Sequence, residues 1–236
     1  MNDEETLPWR LQRRFPEVEI VNFGVGGYGT LQSLIQLELE FARGGRRVPR
    51  LVVLNYGSYH DERNVLSPGR RRNLGMVWVA WGEREQPFAV LSAQGELTRH
   101  KSAVTYRPTF PFIHRSALMN ALESSLVDRR EREAAASDRR REISERLVQE
   151  MDALARKNGT RLLVIQTISP GERPEMVHFC QRRGILAFPL GLTGKGASDP
   201  SMSSLPFDGH PSAKWHALAV EVLVPVLKQA LTTAPR

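Results

Sequence analysis

The 236-residue chain can bury one sizeable core, and its hydrophobic share of 41% and charged share of 25% are those of an ordinary globular protein. The single cysteine, Cys180, excludes an internal disulfide or a cysteine-rich metal site, and the helical stretch MVHFCQRRG marks it as a buried, inert thiol. No apolar run reaches the roughly 18 residues that span a bilayer, and the net charge of +7 comes from arginines scattered among carboxylates, as in DRREREAAASDRRREISER.

That interleaving is the pattern of a solvated helix face with i,i+4 ion pairs, not of a phosphate track, so no nucleic-acid partner is expected. The opening MNDEETLPWR is acidic and polar, without the character of an export signal. A cytoplasmic location and no membrane span are the expectations for the chain as given.

Residues 6–15, TLPWRLQRRF, read as a helix with Thr6 before the first turn, Pro8 inside it, and Leu7, Leu11 and Phe15 on one face. VEIVNFG (18–24) has the β-branched character of a strand, and TLQSLIQLELEFARGG (30–45) is an amphipathic helix closed by glycine. LVVLNYG (51–57) is a continuous apolar run, as in a strand covered on both faces. Residues 75–99 predict two short strands around a turn, an insertion outside the main sheet.

Helices are predicted near 115–128 and 133–157, the second carrying the apolar stripe Ile143, Leu147, Met151 and Leu154 and ending at Asn158-Gly159. RLLVIQTI (161–168) is a third buried strand, RPEMVHFCQRRG a helix and ILAFPL (185–190) a fourth strand. A loose Gly-, Ser- and Pro-rich stretch covers 191–207, and a last helix runs from Pro211 to about residue 232. Strands alternating with helices in this way predict one α/β domain over residues 1–236, with helices on both faces of a mostly parallel sheet. Chemistry in such sheets gathers at the carboxyl ends of the strands, here NFGVGGYG, NYGSYHDERN, QTISPGERP and FDGHPSAKWH.

Gly24, Gly26 and Gly29 spell G-x-G-x-x-G between a predicted strand and a predicted helix. A dinucleotide site also wants an acidic residue at the end of the next strand, to hold the ribose hydroxyls. The strand 51–57 ends instead in Asn55, Tyr56 and Gly57, and a helix already precedes the glycine turn, whereas the fingerprint belongs to a first βα turn. The cofactor reading therefore has little support, and no cofactor is expected.

VNFGVGGYGTLQ, GSYHDERN and DGHPSAKWHALA, in that order and spacing, resemble the SGNH/GDSL-type hydrolases, a superfamily of esterases and acyltransferases. The resemblance runs from about residue 3 to 230, and its most specific part is the Asp-x-His-Pro that opens the last helix. It implies a three-layer α/β/α, flavodoxin-like domain acting on a small-molecule acyl ester of a lipid, carbohydrate or small alcohol. It also implies His210 as general base, Asp208 as the carboxylate that orients it, and the backbone of Gly27 as an oxyanion donor. The chemistry needs these types: acyl transfer uses a histidine base held in one tautomer by a carboxylate. Negative charge developing on the carbonyl oxygen needs N–H donors aimed at it. Glycine lets backbone approach substrate without a Cβ in the way.

Two departures from the family follow. Its third block has asparagine before aspartate, where this chain has His60-Asp61; His60 then takes the asparagine's place as oxyanion donor, with Asn64 one turn on as the other candidate. The nucleophilic serine of the family sits in a Gly-Asp-Ser block on the first, central strand, and no Gly-Asp-Ser or G-x-S-x-G occurs in the 236 residues. The expectation is a chain short at its N-terminus, lacking that strand and inactive as given, with an exported or anchored longer form open. His60, Asp61, Asp208 and His210 match no metal-ligand spacing, so no metal site is expected. Ser58 is an ordinary loop serine and His216 a packed histidine. A non-catalytic SGNH-like binding module and a dinucleotide-binding, Rossmann-like domain stay open as alternatives, and the oligomeric state is open too.

Overall fold

RLLVIQT is apolar almost throughout, and such a run is stable only where both faces of a strand are covered. In the computed structural model it is β4 (Arg161–Thr167), the centre of a parallel sheet ordered β1-β4-β5, with β1 at Leu51–Tyr56 and β5 at Leu186–Leu190. Leu51 pairs with Arg161 and Tyr56 with Gln166 on one side, Leu163 with Leu186 and Thr167 with Leu190 on the other. The structure describes residues 2–44, 48–77, 85–135, 139–169, 171–191 and 210–232. The chain divides into two compact units, Met1–Gly26 with Gly44–Gly57 and Asp152–Arg236, and Gly27–Arg43 with Ser58–Met151.

The parallel sheet belongs to the first unit. Leu163 and Ile165, alternate residues of β4, join Leu11 and Phe15 near α1 (Leu7–Arg14) and Val220, Leu223 and Leu227 of a C-terminal helix, α8 (Ala213–Thr232), in one buried cluster. The opposite face of β4 meets α7 (Glu175–Arg182) through Gln166, whose Oε1 accepts from the Val177 N–H at 3.2 Å and whose Nε2 donates to Arg173 O at 3.2 Å. Those two bonds satisfy backbone groups at a helix start that has no other side-chain cap. Helices therefore cover both faces of this sheet, as the alternation of strands and helices predicts. The C-terminal helix begins at Ala213, two residues after Pro211.

The strand expected at 18–24 does not form: residues 19–25 carry no secondary structure. A strand needs a neighbouring backbone to pair with, and here a side chain supplies that pairing. Gln12 of α1 accepts from the Ile20 N–H at 2.8 Å and donates to Val18 O at 2.7 Å, as an adjacent strand would. Val18 and Ile20 pack on the core cluster, while Val21, Phe23 and Val25 are 41–46% exposed. Asn22 Oδ1 then accepts from the Gly24 N–H at 2.9 Å and bends the chain toward the glycine turn.

The second unit carries α2 (Thr30–Arg43), α3 (Tyr59–Val65), α4 (Pro68–Val77), the antiparallel pair β2 (Glu85–Leu91) and β3 (Leu97–Ala103), α5 (Ala117–Ala135) and most of α6 (Arg140–Lys157). The antiparallel pair, expected within 75–99, lies at 85–103, with Glu85 opposite Ala103 and Leu91 opposite Leu97. Two short helices, α3 and α4, follow β1, where no element is predicted from the sequence. Leu66, left-handed at φ 52°, ends α3, and Pro68 opens α4 at the position where a missing N–H costs nothing. Arg99 of β3 binds Glu38 of α2 at 2.7 Å and also Glu150 of α6, fixing the hairpin to both helices. The stretch 192–207 of the expected loose segment lies outside the described residues. Among the described residues no helix is long and apolar enough to cross a membrane.

Candidate active site

The glycine turn leads directly into α2, and three of its glycines differ in what they require. Gly27 is left-handed at φ +84°, and a Cβ there would lie 2.9 Å from Arg70 Nη2. At Gly29 a Cβ would stand 2.7 Å from Asn64 Oδ1 and 3.0 Å from Arg63 Cβ, while Gly26 faces open space. Two N–H groups at the start of α2 are already taken: Gly29 donates to Gln32 Oε1 at 3.0 Å and Leu31 to Asn64 Oδ1 at 2.9 Å. A pyrophosphate would need such donors unoccupied. The Gly27 N–H, by contrast, donates to no acceptor among the described residues.

Behind this turn, α3 and α6 form a chain of buried hydrogen bonds. The carboxamide of Asn64 accepts from Leu31 and donates to Ser144 Oγ at 2.9 Å. Ser144 donates to Asp61 Oδ1 at 2.5 Å, and Arg141 Nε donates to Asp61 Oδ2 at 3.1 Å. Asn64 is 0% exposed, so its carboxamide clamps α2, α3 and α6 together instead of facing a substrate. His60 is 5% exposed, its Nδ1 bonded to Thr30 Oγ1 at 3.1 Å, with Tyr59 edge-on to its ring at 4.9 Å. Burial first, and the Arg63 charge second, lower its pKa from 6.5 to about 3, so the imidazole is neutral throughout the physiological range. A neutral imidazole keeps one N–H donor, and the bond between Nδ1 and Thr30 Oγ1 fixes the ring beside the start of α2.

Arg63 and Arg70 flank the same turn from α3 and α4. Arg63 Nη1 donates to Tyr28 O at 2.8 Å with its guanidinium 4.2 Å from the centre of the Tyr59 ring, and Arg70 Nη2 donates to Gly27 O at 2.7 Å. Sequence reasoning passes over both, along with Ser144 and Gln32. Arg63 lies inside the GSYHDERN block, but Arg70 reaches the turn only because the unforeseen helix α4 carries it there.

In the first unit, His210 is exposed and precedes α8. That helix is capped by Ser212, whose Oγ accepts from the Trp215 N–H at 3.1 Å and whose carbonyl accepts from the His216 N–H at 3.0 Å. Asp208 lies outside the described residues. His216 stacks edge-on against Trp215 at 5.4 Å, and burial, then the Arg10 charge, lowers its pKa. Cys180 on α7 is in no disulfide and has 0% exposure. Ser58, in the second unit, is exposed at the start of α3 and its hydroxyl caps nothing there. Among the described residues no three His, Cys, Asp or Glu side chains gather as a metal site.

No family model, curated protein or solved structure matches this chain. The geometry itself can offer a backbone N–H in a left-handed turn, a neutral buried imidazole and two guanidinium groups around one short loop.

Proposed function

We propose that the chain carries the oxyanion-side framework of an SGNH-type acyl-ester hydrolase or acyltransferase, and that these 236 residues do not by themselves perform serine-dependent ester cleavage. The observation that carries the reading is the joining of two motif blocks. The glycine block and GSYHDERN are tied by three bonds, His60 to Thr30, Leu31 to Asn64 and Arg63 to Tyr28, which hold the Gly27 turn, whose N–H has no acceptor among the described residues. An oxyanion hole needs such a donor fixed before the charge develops. Occupation of the Gly29 and Leu31 N–H groups by Gln32 and Asn64 weighs against the dinucleotide reading.

His210 is the proposed base and Asp208 its orienting partner. The role of the serine has no candidate in the Gly-Asp-Ser sense, because that tripeptide does not occur in the chain. The test is a chain extended at its N-terminus by a β-branched strand ending in Gly-Asp-Ser. That form should hydrolyse a short-chain aryl ester, and His210→Ala should remove the activity. An extended chain that folds and hydrolyses no ester with any acyl length favours the binding-module reading.

A further inference from the structure

Arginine guanidinium groups are ordinarily paired with carboxylates when they leave bulk water, because a half-buried charge without a counter-ion is costly. Several arginines of the second unit follow that rule: Arg99 has Glu38 and Glu150, Arg140 has Glu131, and Arg141 has Asp61. Arg71 and Arg72 of α4 depart from it, bonded to Ser102, Ala103 O and Asn120, and so do Arg63 and Arg70, whose carbonyl partners lie side by side in one turn. Arg63 and Arg70 are both half-buried, and neither makes an ion pair among the described residues. Each commits one of its five N–H donors, and to a neutral carbonyl of the same turn, Tyr28 O for Arg63 and Gly27 O for Arg70.

Two like charges on adjacent carbonyls repel each other, and a shared anion would offset that repulsion. Burial and then the Arg63 charge lower the Arg70 pKa, the signature of two cations close together. Burial also lowers that of Arg63, against the opposing influence of Tyr59 and Glu62. The Tyr59 ring lies against the Arg63 guanidinium, 4.2 Å from its centre, and restrains it. A clamp for the turn alone would need one hydrogen bond per carbonyl, which lysine or glutamine provides; paired planar forks suit an oxyanion with two or three oxygens.

We propose that Arg63 and Arg70 bind a ligand oxyanion, phosphate or carboxylate, beside the Gly27 turn, so that the site takes an acyl ester whose alcohol or acyl part carries an anionic group. The ester rests on the hydrolase reading; the anion site does not. It places the anion next to the Gly27 N–H, where the reacting carbonyl oxygen would sit, so that the anion anchors the substrate and the turn polarises it.

The experiment titrates the 15N-labelled 236-residue chain with inorganic phosphate, and separately with acetate, at an ionic strength held constant with sodium chloride. Saturable shifts are expected at the Gly27 and Tyr28 amides and at the Arg63 and Arg70 Nε–H groups. Arg63→Gln and Arg70→Gln should each weaken binding about tenfold, and Arg63→Lys and Arg70→Lys by less, because the charge remains. Tighter binding of phosphate assigns a phosphorylated ester, and tighter binding of acetate a carboxylated one. Shifts that match the chloride control, do not saturate, or survive in the folded glutamine variants overturn the proposal. Because no ester is cleaved in this titration, its failure leaves the hydrolase reading standing. Phosphate binding by an extended chain that cleaves no ester would remove the hydrolase reading and leave the anion site.

Discussion

Acidification from pH 7.5 to 5.0 should destabilise the protein through His60. In the folded chain this imidazole holds off its proton down to about pH 3, whereas its ordinary value is 6.5. Between those values the unfolded chain binds more protons than the folded one. Stability from this group is therefore fully present above about pH 6.5, falls with pH below it, and is exhausted near pH 3. The drop to pH 5.0 crosses about 1.5 units of that window at ~1.4 kcal/mol each, or about 2 kcal/mol. With a urea dependence of roughly 2.5 kcal/mol per molar, the unfolding midpoint should fall by about 0.8 M. His216, also lowered, adds its own slope in the same direction, so the wild type is compared with His60→Asn. The asparagine variant should lose the His60 part of the pH dependence whatever its stability at pH 7.5. If the two chains show the same fall, His60 is not held neutral by burial and its place in the framework is wrong.

Three further outcomes follow from the hydrogen bonds. Asn64→Ala strands the Leu31 N–H and removes one of the partners of Ser144 in a fully buried position, and should cost about 2–4 kcal/mol in urea unfolding. Gly29→Ala sets a Cβ against Asn64 Oδ1 and should destabilise by more than about 1 kcal/mol, whereas Gly26→Ala, in open space, should stay within about 0.5 kcal/mol. Gln12→Ala frees Val18 O and the Ile20 N–H, and the Ile20 amide should then exchange with deuterium at least about tenfold faster while the amides of β4 keep their protection.

Apolar pattern made the parallel sheet legible. β1, β4 and β5 are short runs of Leu, Val and Ile, and they appear within a residue or two of where periodicity places them. The segment 18–24 has the same composition and forms no strand, because composition reports what a strand could be built from and not whether a neighbour is there to pair with it. Gln12, six to eight residues upstream, took that part, and nothing in a β-branched run announces a side-chain partner. The helices α3 and α4 were illegible for a different reason. Each is short, α3 is polar throughout its first turn, and α4 opens on Pro-Gly and a run of arginines, so neither shows a wide apolar stripe. The motif residues Gly27, His60 and Asn64 were legible as a group, and the structure brings them together in one unit. Their division of labour was not, since only burial distinguishes Asn64 as a clamp from an asparagine that faces substrate.

Covalent labelling by a fluorophosphonate, read by intact mass and peptide mapping, tests the proposed hydrolase framework most directly. Residues 1–236 should take up no probe, since they contain no Gly-Asp-Ser nucleophile. The chain extended by a strand ending in that tripeptide should be labelled stoichiometrically at the introduced serine, and labelling should disappear in His210→Ala. Stoichiometric labelling of the unextended chain at Ser58, lost on His210→Ala, would show that a different nucleophile works with this base; an extended, folded chain that takes up no probe would contradict the framework itself.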